Sequence, residues 1–251
     1  GALAAWRSYR KQAERERVED ALKHLLGRQQ DGSFTPPESL AGALHLSNRE
    51  LLRLVDQLQA QGLVQPHQRE LALTADGQLW ALRVVRAHRL WERYLADEAR
   101  LPLERIHSEA HIHEHHMTAA QVDALDAALG HPITDPHGDP IPDQAGIFRD
   151  QSEEKPLSDW PVGEAGQISH LEDEPPLAYA QILAEGLRLG QVVRILEVGR
   201  ERVILADEER EYVLAPAVAA NVFLQPLPQT QKLPGGALKL VDLAPGTKAH
   251  I

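Results

Sequence analysis

A histidine-rich segment at residues 107–115, His-Ser-Glu-Ala-His-Ile-His-Glu-His, places the strongest constraint on what this chain can fold into. At about 100° per residue, a helix through it gathers three imidazoles and one carboxylate into an arc roughly 100° wide: His107, His111, Glu114 and His115. The imidazoles would repel one another once protonated, and neutral imidazole with carboxylate is the donor set that a divalent transition metal takes. The segment therefore predicts a metal-binding helix, although a polar surface helix fits the same pattern.

A second histidine–carboxylate pair precedes this helix. His88 and Glu92 are spaced i, i+4 and so share one helix face. A pair at this spacing also forms an ordinary structural hydrogen bond, and that alternative stays open. Because two crossing helices can pool such ligands, the pair supports a metal site. The remaining histidines of the region are interpreted as surface or turn residues: His113, His116, His131 and His137.

Composition narrows the class of protein. At 251 residues, with 43% hydrophobic and 25% charged residues, the chain suits about two ordinary globular domains. It has no cysteine, which excludes disulfides and thiolate ligands. No apolar run reaches the roughly 18 residues of a membrane span, so we expect a soluble, cytoplasmic protein. The chain begins at Gly1 without an initiator methionine, which indicates a processed end or a chosen boundary.

The net charge of −11 is unevenly distributed. Residues 135–174 hold eleven acidic side chains against Arg149 and Lys155, whereas residues 1–75 hold ten Lys/Arg and nine Asp/Glu. A DNA-binding module usually carries a clearer basic surface, so the balanced N-terminal region argues mildly against tight DNA binding.

The first 75 residues show the element order of a winged helix-turn-helix. Apolar periodicity and turn residues predict three helices and two short strands, at 6–30, about 36–44, 47–60, 63–64 and 71–73. Ser47 and Glu50 have capping-box spacing at the start of the third helix. A small three-helix bundle is the alternative, and the predicted hairpin favours the winged form.

Three longer helices and a small barrel are predicted to follow. The helices lie at 76–98, 102–114 and 118–129, and the proline-rich residues 135–142 are read as an extended exit. After an acidic linker at 149–156, short alternating apolar segments indicate a five-stranded barrel, interrupted by one helix at about 176–185. The fold class is therefore mainly α with a small β-barrel. The Pro/Gly-rich tail, residues 227–251, is expected to be mobile.

Four motifs occur in a fixed order along the middle of the chain: Leu-Thr-Ala-Asp-Gly (73–77), His-Arg-Leu-Trp-Glu (88–92), Ile-His-Ser-Glu-Ala-His-Ile-His-Glu-His (106–115) and Asp-Pro-His-Gly-Asp-Pro-Ile-Pro (135–142). They resemble the diphtheria-toxin-repressor/manganese-regulator (DtxR/MntR) family of metal-dependent transcriptional regulators. Residues 157–190 are similar to the SH3-like, FeoA-type domain that ends many members. The resemblance covers roughly residues 18–226. It implies a winged helix-turn-helix at 1–75, a helical metal-binding and dimerisation domain at 76–148, an SH3-like domain at 157–226 and a tail at 227–251.

The resemblance implies two metal sites. The primary site would comprise Asp20, His111, Glu114 and His115, and the ancillary site His88, Glu92 and His107. The SH3-like domain is expected to lend ligands near 175–178, where Pro175 and Ala178 cannot serve, which leaves Glu172 or Glu174. A site without sulfur suits Mn²⁺ or Fe²⁺, with Zn²⁺ or Co²⁺ also able to bind.

Two residues depart from the family pattern. His111 stands where the family usually carries cysteine or glutamate. Lys23 stands where manganese-type members often carry a carboxylate, which argues against a closely spaced binuclear manganese site.

In function, the resemblance implies a homodimeric repressor that binds a double-stranded DNA operator. Metal that joins the first helix to the dimerisation domain would fix the separation of the two recognition helices. The third helix supplies the expected DNA contacts: Ser47, Asn48, Arg49 and Arg53. For both arginines, plain solvent-facing charge is the alternative.

Two other functions are considered. Some metal-transporter permeases carry a domain resembling this family at their cytoplasmic end, and the aromatic, basic start at Trp6, Tyr9 and Arg10 is typical of a juxtamembrane segment. The chain would then be a cytoplasmic sensor fused to a membrane transporter portion.

An enzyme is not expected. Residues 111–116 approach a metallohydrolase pattern, but the preceding sequence is helical, and no nucleophile elbow or phosphate-binding glycine loop is present.

Overall fold

The computed structural model describes residues 2–30, 32–33, 35–149 and 153–227, with the side chains of residues 2–5 and 7 left aside. The tail from residue 228 onward and the middle of the predicted acidic linker lie outside the described residues. The predicted mobility of the tail therefore stays a prediction.

The N-terminal region is a winged helix-turn-helix, as predicted. It consists of α1 (Ala2–Gln30), α2 (Pro37–Ala43), α3 (Asn48–Ala60), β1 (Val64–His67) and β2 (Glu70–Leu73). β1 and β2 pair antiparallel with Val64 opposite Leu73, which forms the wing. The predicted stripe of α1 is buried, including Val18, Leu22 and Leu25, and it packs on Leu54 and Leu58 of α3. The first helix extends further toward the N-terminus than the predicted 6–30.

Three helices form the middle of the chain: α4 (Ala75–Asp97), α5 (Leu103–Glu114) and α6 (Ala119–Ala128). The Thr74 hydroxyl caps α4 by accepting from the Gly77 amide at 3.1 Å. α4 is central because it packs against α1, α5 and α6. Its buried face includes the polar residues His88 and Glu92 beside Leu90 and Leu95, so the histidine–carboxylate pair points into the protein.

Residues 135–142 form a compact turn instead of the predicted extended exit. Asp135 organises it, since its Oδ1 accepts from the amides of His137 and Asp139 at 2.8 and 3.0 Å. Gly138 has a φ of +100°, and a Cβ there would lie 2.1 Å from the Ser169 carbonyl oxygen. The short polar side chain of Asp135 and the glycine together let this turn pack closely against the C-terminal sheet.

The C-terminal region carries one antiparallel sheet with two helices. Its strands are β3 (Lys155–Pro156), β4 (Ala165–Leu171), β5 (Val192–Val198), β6 (Val203–Ala206), β7 (Glu211–Leu214) and β8 (Val222–Gln225), in the order β3-β8-β4-β5-β6-β7. α7 (Pro176–Glu185) lies where predicted, and α8 (Pro216–Ala219) was not predicted. The mainly helical fold with a smaller β region is confirmed. The prediction of a five-stranded barrel is wrong in detail, because the described sheet has six strands and its edge strands β3 and β7 do not pair.

None of the helices in the described ranges combines the length and the hydropathy that a membrane span requires.

Candidate metal centres

The four side chains of the predicted primary site lie together between α1 and α5. Asp20 comes from α1, His111 and Glu114 from α5, and His115 from the residue that follows α5. One ligand atom of each lies within 4.8 Å of the others. His115 Nε2 is 3.2 Å from Asp20 Oδ1 and 3.3 Å from Glu114 Oε1. We call this set the primary cluster. It lies between the winged helix-turn-helix, which we call the winged head, and the helical region formed by α4, α5 and α6.

The primary cluster combines buried and accessible ligands. The Glu114 and His115 side chains are buried, whereas the His111 side chain is 51% exposed, so the cluster has a route to solvent. Buried polar atoms normally have a hydrogen-bond partner. His115 Nε2 is buried and has none with acceptable geometry in the described part of the chain. An imidazole nitrogen held free beside two carboxylates fits a divalent transition metal.

Glu19 orients His115, and sequence reasoning missed it. His115 Nδ1 donates to Glu19 Oε2 at 2.7 Å, which directs Nε2 toward Asp20. Glu19 is 1% exposed and is held in turn by Arg15 at 2.7 Å and the Trp80 indole at 3.2 Å. The sequence feature that could have identified Glu19 is a carboxylate next to Val18 on the apolar face of α1, because burial of an unpaired carboxylate there would destabilise the fold.

The pKa values of His115 and Glu114 are shifted by their charged neighbours. Burial lowers the pKa of His115, but the Asp20 and Glu19 carboxylates that face its two ring nitrogens outweigh it and raise the pKa to about 9. Burial raises the pKa of Glu114, yet hydrogen bonds from His111 and His88 and the charge of Lys23 hold it far below its ordinary value. Glu114 is therefore a carboxylate, the form that a metal takes.

The predicted ancillary residues also lie together, on α4 and α5. His88 Nε2 is 2.9 Å and His107 Nδ1 is 3.2 Å from Glu92 Oε1. Glu92 is 1% exposed, and its Oε1 accepts no hydrogen bond of acceptable geometry from the described residues. Burial raises the pKa of Glu92, while the charge of His88 and the imidazoles of His107 and His137 lower it well below its ordinary value. We call these three residues the ancillary cluster.

Asp173 of the C-terminal region contacts this cluster. Asp173 Oδ2 lies 2.7 Å from His107 Nδ1, whereas Glu174 Oε1 lies 3.4 Å from His107 Nε2 on a 69% exposed side chain. The neighbouring carboxylates of Asp173, Glu174 and Glu92 raise the pKa of His107 to about 12. The structure does not bring Glu172 into any of the candidate metal groups found in the described residues. Of the two predicted residues, only Glu174 comes near, and Asp173 was missed.

His137 departs from its interpretation as a surface or turn histidine. It lies in the turn but is 1% exposed, with Nδ1 3.8 Å from both Glu92 Oε2 and Asp173 Oδ2. Its Nε2 is buried without a hydrogen-bond partner in the described ranges. Glu92, His137 and Asp173 thus form a third group of potential ligands that shares Glu92 with the ancillary cluster. His113, His116 and His131 are exposed, as predicted.

A cleft of about 960 Å³ connects the primary and ancillary clusters, lined among others by Asp20, Lys23, His88, His107 and His111. Its walls come from α1, α4, α5 and the segment after β4. Ligands from four separate elements converge here, which a plain surface helix would not require.

The predicted DNA-contact residues lie on the outer face of α3. Leu51, Leu54 and Leu58 are buried, while Asn48, Arg49 and Arg53 are exposed on the opposite side. Ser47 is exposed and caps the helix: its amide and hydroxyl both donate to Glu50 Oε2, at 3.0 and 2.6 Å. The predicted capping box is present. Arg69, at the exposed tip of the wing, is a further cation on this side that sequence reasoning did not single out.

Comparison with known proteins identifies the family. The model of the protein family described as "Iron dependent repressor, metal binding and dimerisation domain" matches residues 74–143. The diphtheria toxin repressor of Corynebacterium glutamicum (strain ATCC 13032) is 30% identical over 190 residues, which cover 71% of this chain and 83% of that protein. This chain belongs to the diphtheria toxin repressor family. The predicted family resemblance is therefore confirmed.

Other members of the family are similar over different lengths. The iron-dependent repressor IdeR of Mycobacterium leprae (strain TN) is 34% identical over 122 residues, or 48% of this chain and 53% of that protein. The chain thus spans about half the length of the mycobacterial relatives that it matches. A solved manganese-dependent transcriptional repressor in complex with manganese has a TM-score of 0.76 and 26% identity, and the match covers 84% of this chain and 100% of that chain.

A shorter similarity bears on the transporter alternative. A probable metal transport system membrane protein of Chlamydia trachomatis serovar D is 38% identical over 79 residues, which cover 32% of this chain and 17% of that protein. The Corynebacterium glutamicum protein and the solved manganese-dependent protein, which match most of this chain, are both repressors. The comparisons therefore fit the regulator and not the fused sensor.

Proposed function

We propose that this chain is a divalent-metal-responsive, DNA-binding transcriptional repressor of metal homeostasis that acts as a homodimer in the cytoplasm. The observation that carries the proposal is the position of the primary cluster. Asp20 belongs to the first helix of the winged head, and its three partners belong to α5 and the residue that follows it. A ligand set divided between two parts of a protein responds to what binds it by holding those parts together.

Asp20, His111, Glu114 and His115 would hold Mn²⁺ or Fe²⁺, with Zn²⁺ or Co²⁺ as further candidates, and the ion would supply bonds between α1 and α5. His88, Glu92 and His107 would hold a second ion, with Asp173 and His137 as additional donors and Glu174 at the margin. Glu172 is not part of this proposal. Glu19 keeps His115 Nε2 directed at the primary cluster.

The same arrangement would couple metal binding at the primary cluster to DNA binding. α1 carries the core on which α3 packs, through Leu22 and Leu54 among others. Fixing Asp20 relative to α5 therefore fixes α3 relative to the helical region. In a two-fold dimer built on that region, the spacing of the two α3 helices sets the half-site spacing that the protein can read. Arg49 and Arg53 would then reach base edges or phosphates of a double-stranded operator.

The test is DNA binding with and without metal. We expect the wild-type protein to retard a subset of genomic fragments only in the presence of Mn²⁺ or Fe²⁺, and the His111→Ala/His115→Ala variant to retard none. The matched control is His113→Ala/His116→Ala, which removes two exposed histidines from the same segment and should behave as wild type. Calorimetry should show the loss of the tighter binding phase in the first variant only. DNA binding that ignores metal, or equal behaviour of the two double variants, contradicts the proposal.

A further inference from the structure

Lys23 forms an ion pair with a ligand of the primary cluster. It lies one helical turn after Asp20 on α1, and its Nζ donates to Glu114 Oε1 and Oε2 at 2.9 and 2.8 Å. The Lys23 side chain is 23% exposed and that of Glu114 is fully buried. The ammonium group thus binds both oxygens of a buried carboxylate, from the same helix that supplies Asp20.

Glu114 belongs to the primary cluster and also contacts His88 of the ancillary cluster. Its Oε1 lies 3.2 Å from His111 Nδ1 and 3.3 Å from His115 Nε2, and its Oε2 lies 2.5 Å from His88 Nδ1. A carboxylate offers about four lone-pair directions over its two oxygens. Because Lys23 uses one on each oxygen, the remaining ones have to serve the imidazoles or a metal ion.

We propose that Lys23 is a built-in competitor for Glu114, which weakens metal binding at the primary cluster and so sets the metal concentration at which the protein responds. This inference rests on the proposed function of that cluster. A divalent ion that takes a Glu114 oxygen shares the carboxylate with an ammonium group, and the two cations repel. Lys23 has a flexible four-carbon stem and partial exposure, so it can withdraw toward the cleft at an energetic cost.

The expected size of the effect follows from Coulomb's law. Even with water-like screening, a single and a double positive charge about 4 Å apart oppose binding by about tenfold or more. Removing the charge should therefore tighten binding. A residue that merely held Glu114 in position would have the opposite effect, because its loss would loosen a ligand.

The experiment compares Lys23→Gln, Lys23→Arg and Lys11→Gln with the wild-type protein by Mn²⁺ titration against a competing chelator. Lys11 is exposed on the same helix, away from the cluster, so its variant controls for net charge. We expect Lys23→Gln to bind Mn²⁺ about tenfold more tightly or better, with Lys23→Arg and Lys11→Gln close to wild type. Its DNA complex should also form at lower Mn²⁺ concentration.

If Lys23→Gln does not fold, a measurement on the wild-type protein tests the same inference. Nitrogen NMR of the lysine ammonium groups, during titration with diamagnetic Zn²⁺, should show the resonance of Lys23 shift or disappear as the tight site fills. Unchanged or weaker Mn²⁺ binding by folded Lys23→Gln, or an unperturbed resonance, overturns the inference. If His111→Ala/His115→Ala still abolishes tight binding in that case, the proposed function stands while the competitor does not.

Discussion

Single buried polar residues join the turn at 135–142 to the C-terminal sheet. His170, on β4, is the clearest case: its Nε2 lies 3.4 Å from Asp139 Oδ2, its Nδ1 3.7 Å from Glu154 Oε1, and its ring stacks on Phe223 at 4.8 Å. Asp139 also binds Arg89 of α4 at 2.7 Å. Burial lowers the pKa of His170, but Asp139 and Glu154 outweigh it and raise the pKa to about 10. The imidazolium is therefore the stable form in the fold.

This pKa predicts a pH-dependent contribution to stability. Because the pKa of His170 is raised from about 6.5 in an unfolded chain, its contribution is complete below pH about 6.5 and is lost as pH rises through about 10. We expect His170→Gln to lower the free energy of unfolding by up to about 5 kcal/mol at pH 6 and by less than about 1 kcal/mol at pH 10. Urea unfolding across this range measures it, with exposed His131→Gln as the control. A difference between wild type and His170→Gln that is independent of pH contradicts the assignment.

At the scale of elements, α3 shows how one helix serves two purposes. Its leucines at 51, 54 and 58 recur on one face and are buried, which fixes the helix on the head. The opposite face presents Arg49, Arg53 and an exposed Leu52. On this face Arg49 and Arg53 are both exposed, together with Asp56 one turn beyond Arg53, so two cations stand against one acid.

We expect Arg49→Ala/Arg53→Ala to weaken the metal-loaded DNA complex by about 1–3 kcal/mol for each base edge that an arginine no longer reaches. The dependence of binding on salt should also become shallower, since fewer phosphates are neutralised. Fluorescence anisotropy with a retarded fragment at several salt concentrations measures both quantities. Arg200→Ala, in the exposed loop between β5 and β6, should leave DNA binding unchanged, and Mn²⁺ affinity should be unaltered in both variants. An unaltered complex in the double variant means that α3 does not read the DNA.

At the scale of the whole molecule, the helical region contacts both the winged helix-turn-helix and the C-terminal region. α4 contacts the head through α1, and α5 contacts α7 of the C-terminal region. The outer face of α5 retains Ile112, which is 57% exposed. An exposed apolar residue in the segment matched to a dimerisation domain is a candidate contact with a second copy.

We expect light scattering to give twice the chain mass at micromolar concentration, with and without Mn²⁺. Ile112→Asp should weaken the dimer by about 1–3 kcal/mol, because it would bury an unpaired polar group in an apolar contact. Val162→Asp, at an exposed apolar position of the C-terminal region, is the control and should not change the mass. A monomeric wild-type protein in saturating metal contradicts the dimer, and an unchanged Ile112→Asp dimer excludes this face.

Local pattern in the sequence determined much of the fold. Periodic leucines and capping residues such as Ser47 act within one or two helical turns, so they predicted most helices and the wing. The six-stranded sheet was harder, because β3 has two residues, too few to show alternation, and its pairing with β8 joins positions far apart in the chain. The ligands at the end of α5 and in the residue that follows it, His111, Glu114 and His115, were predictable for the same reason as the helix itself.

Only the tertiary structure decided which side chains from separate elements meet. The sequence could not decide which of the three adjacent acids at 172–174 meets His107: Asp173 does at 2.7 Å and Glu174 at 3.4 Å, whereas Glu172 joins none of the candidate metal groups in the described residues. Glu19 and His137 reach the clusters because each is buried against another element: Glu19 faces His115, and His137 faces Glu92. Lys23 was visible as an unusual cation in the sequence, but its bond to Glu114 depends on how α1 crosses α5. Such crossings follow from packing between distant segments, which the local pattern of residues does not encode.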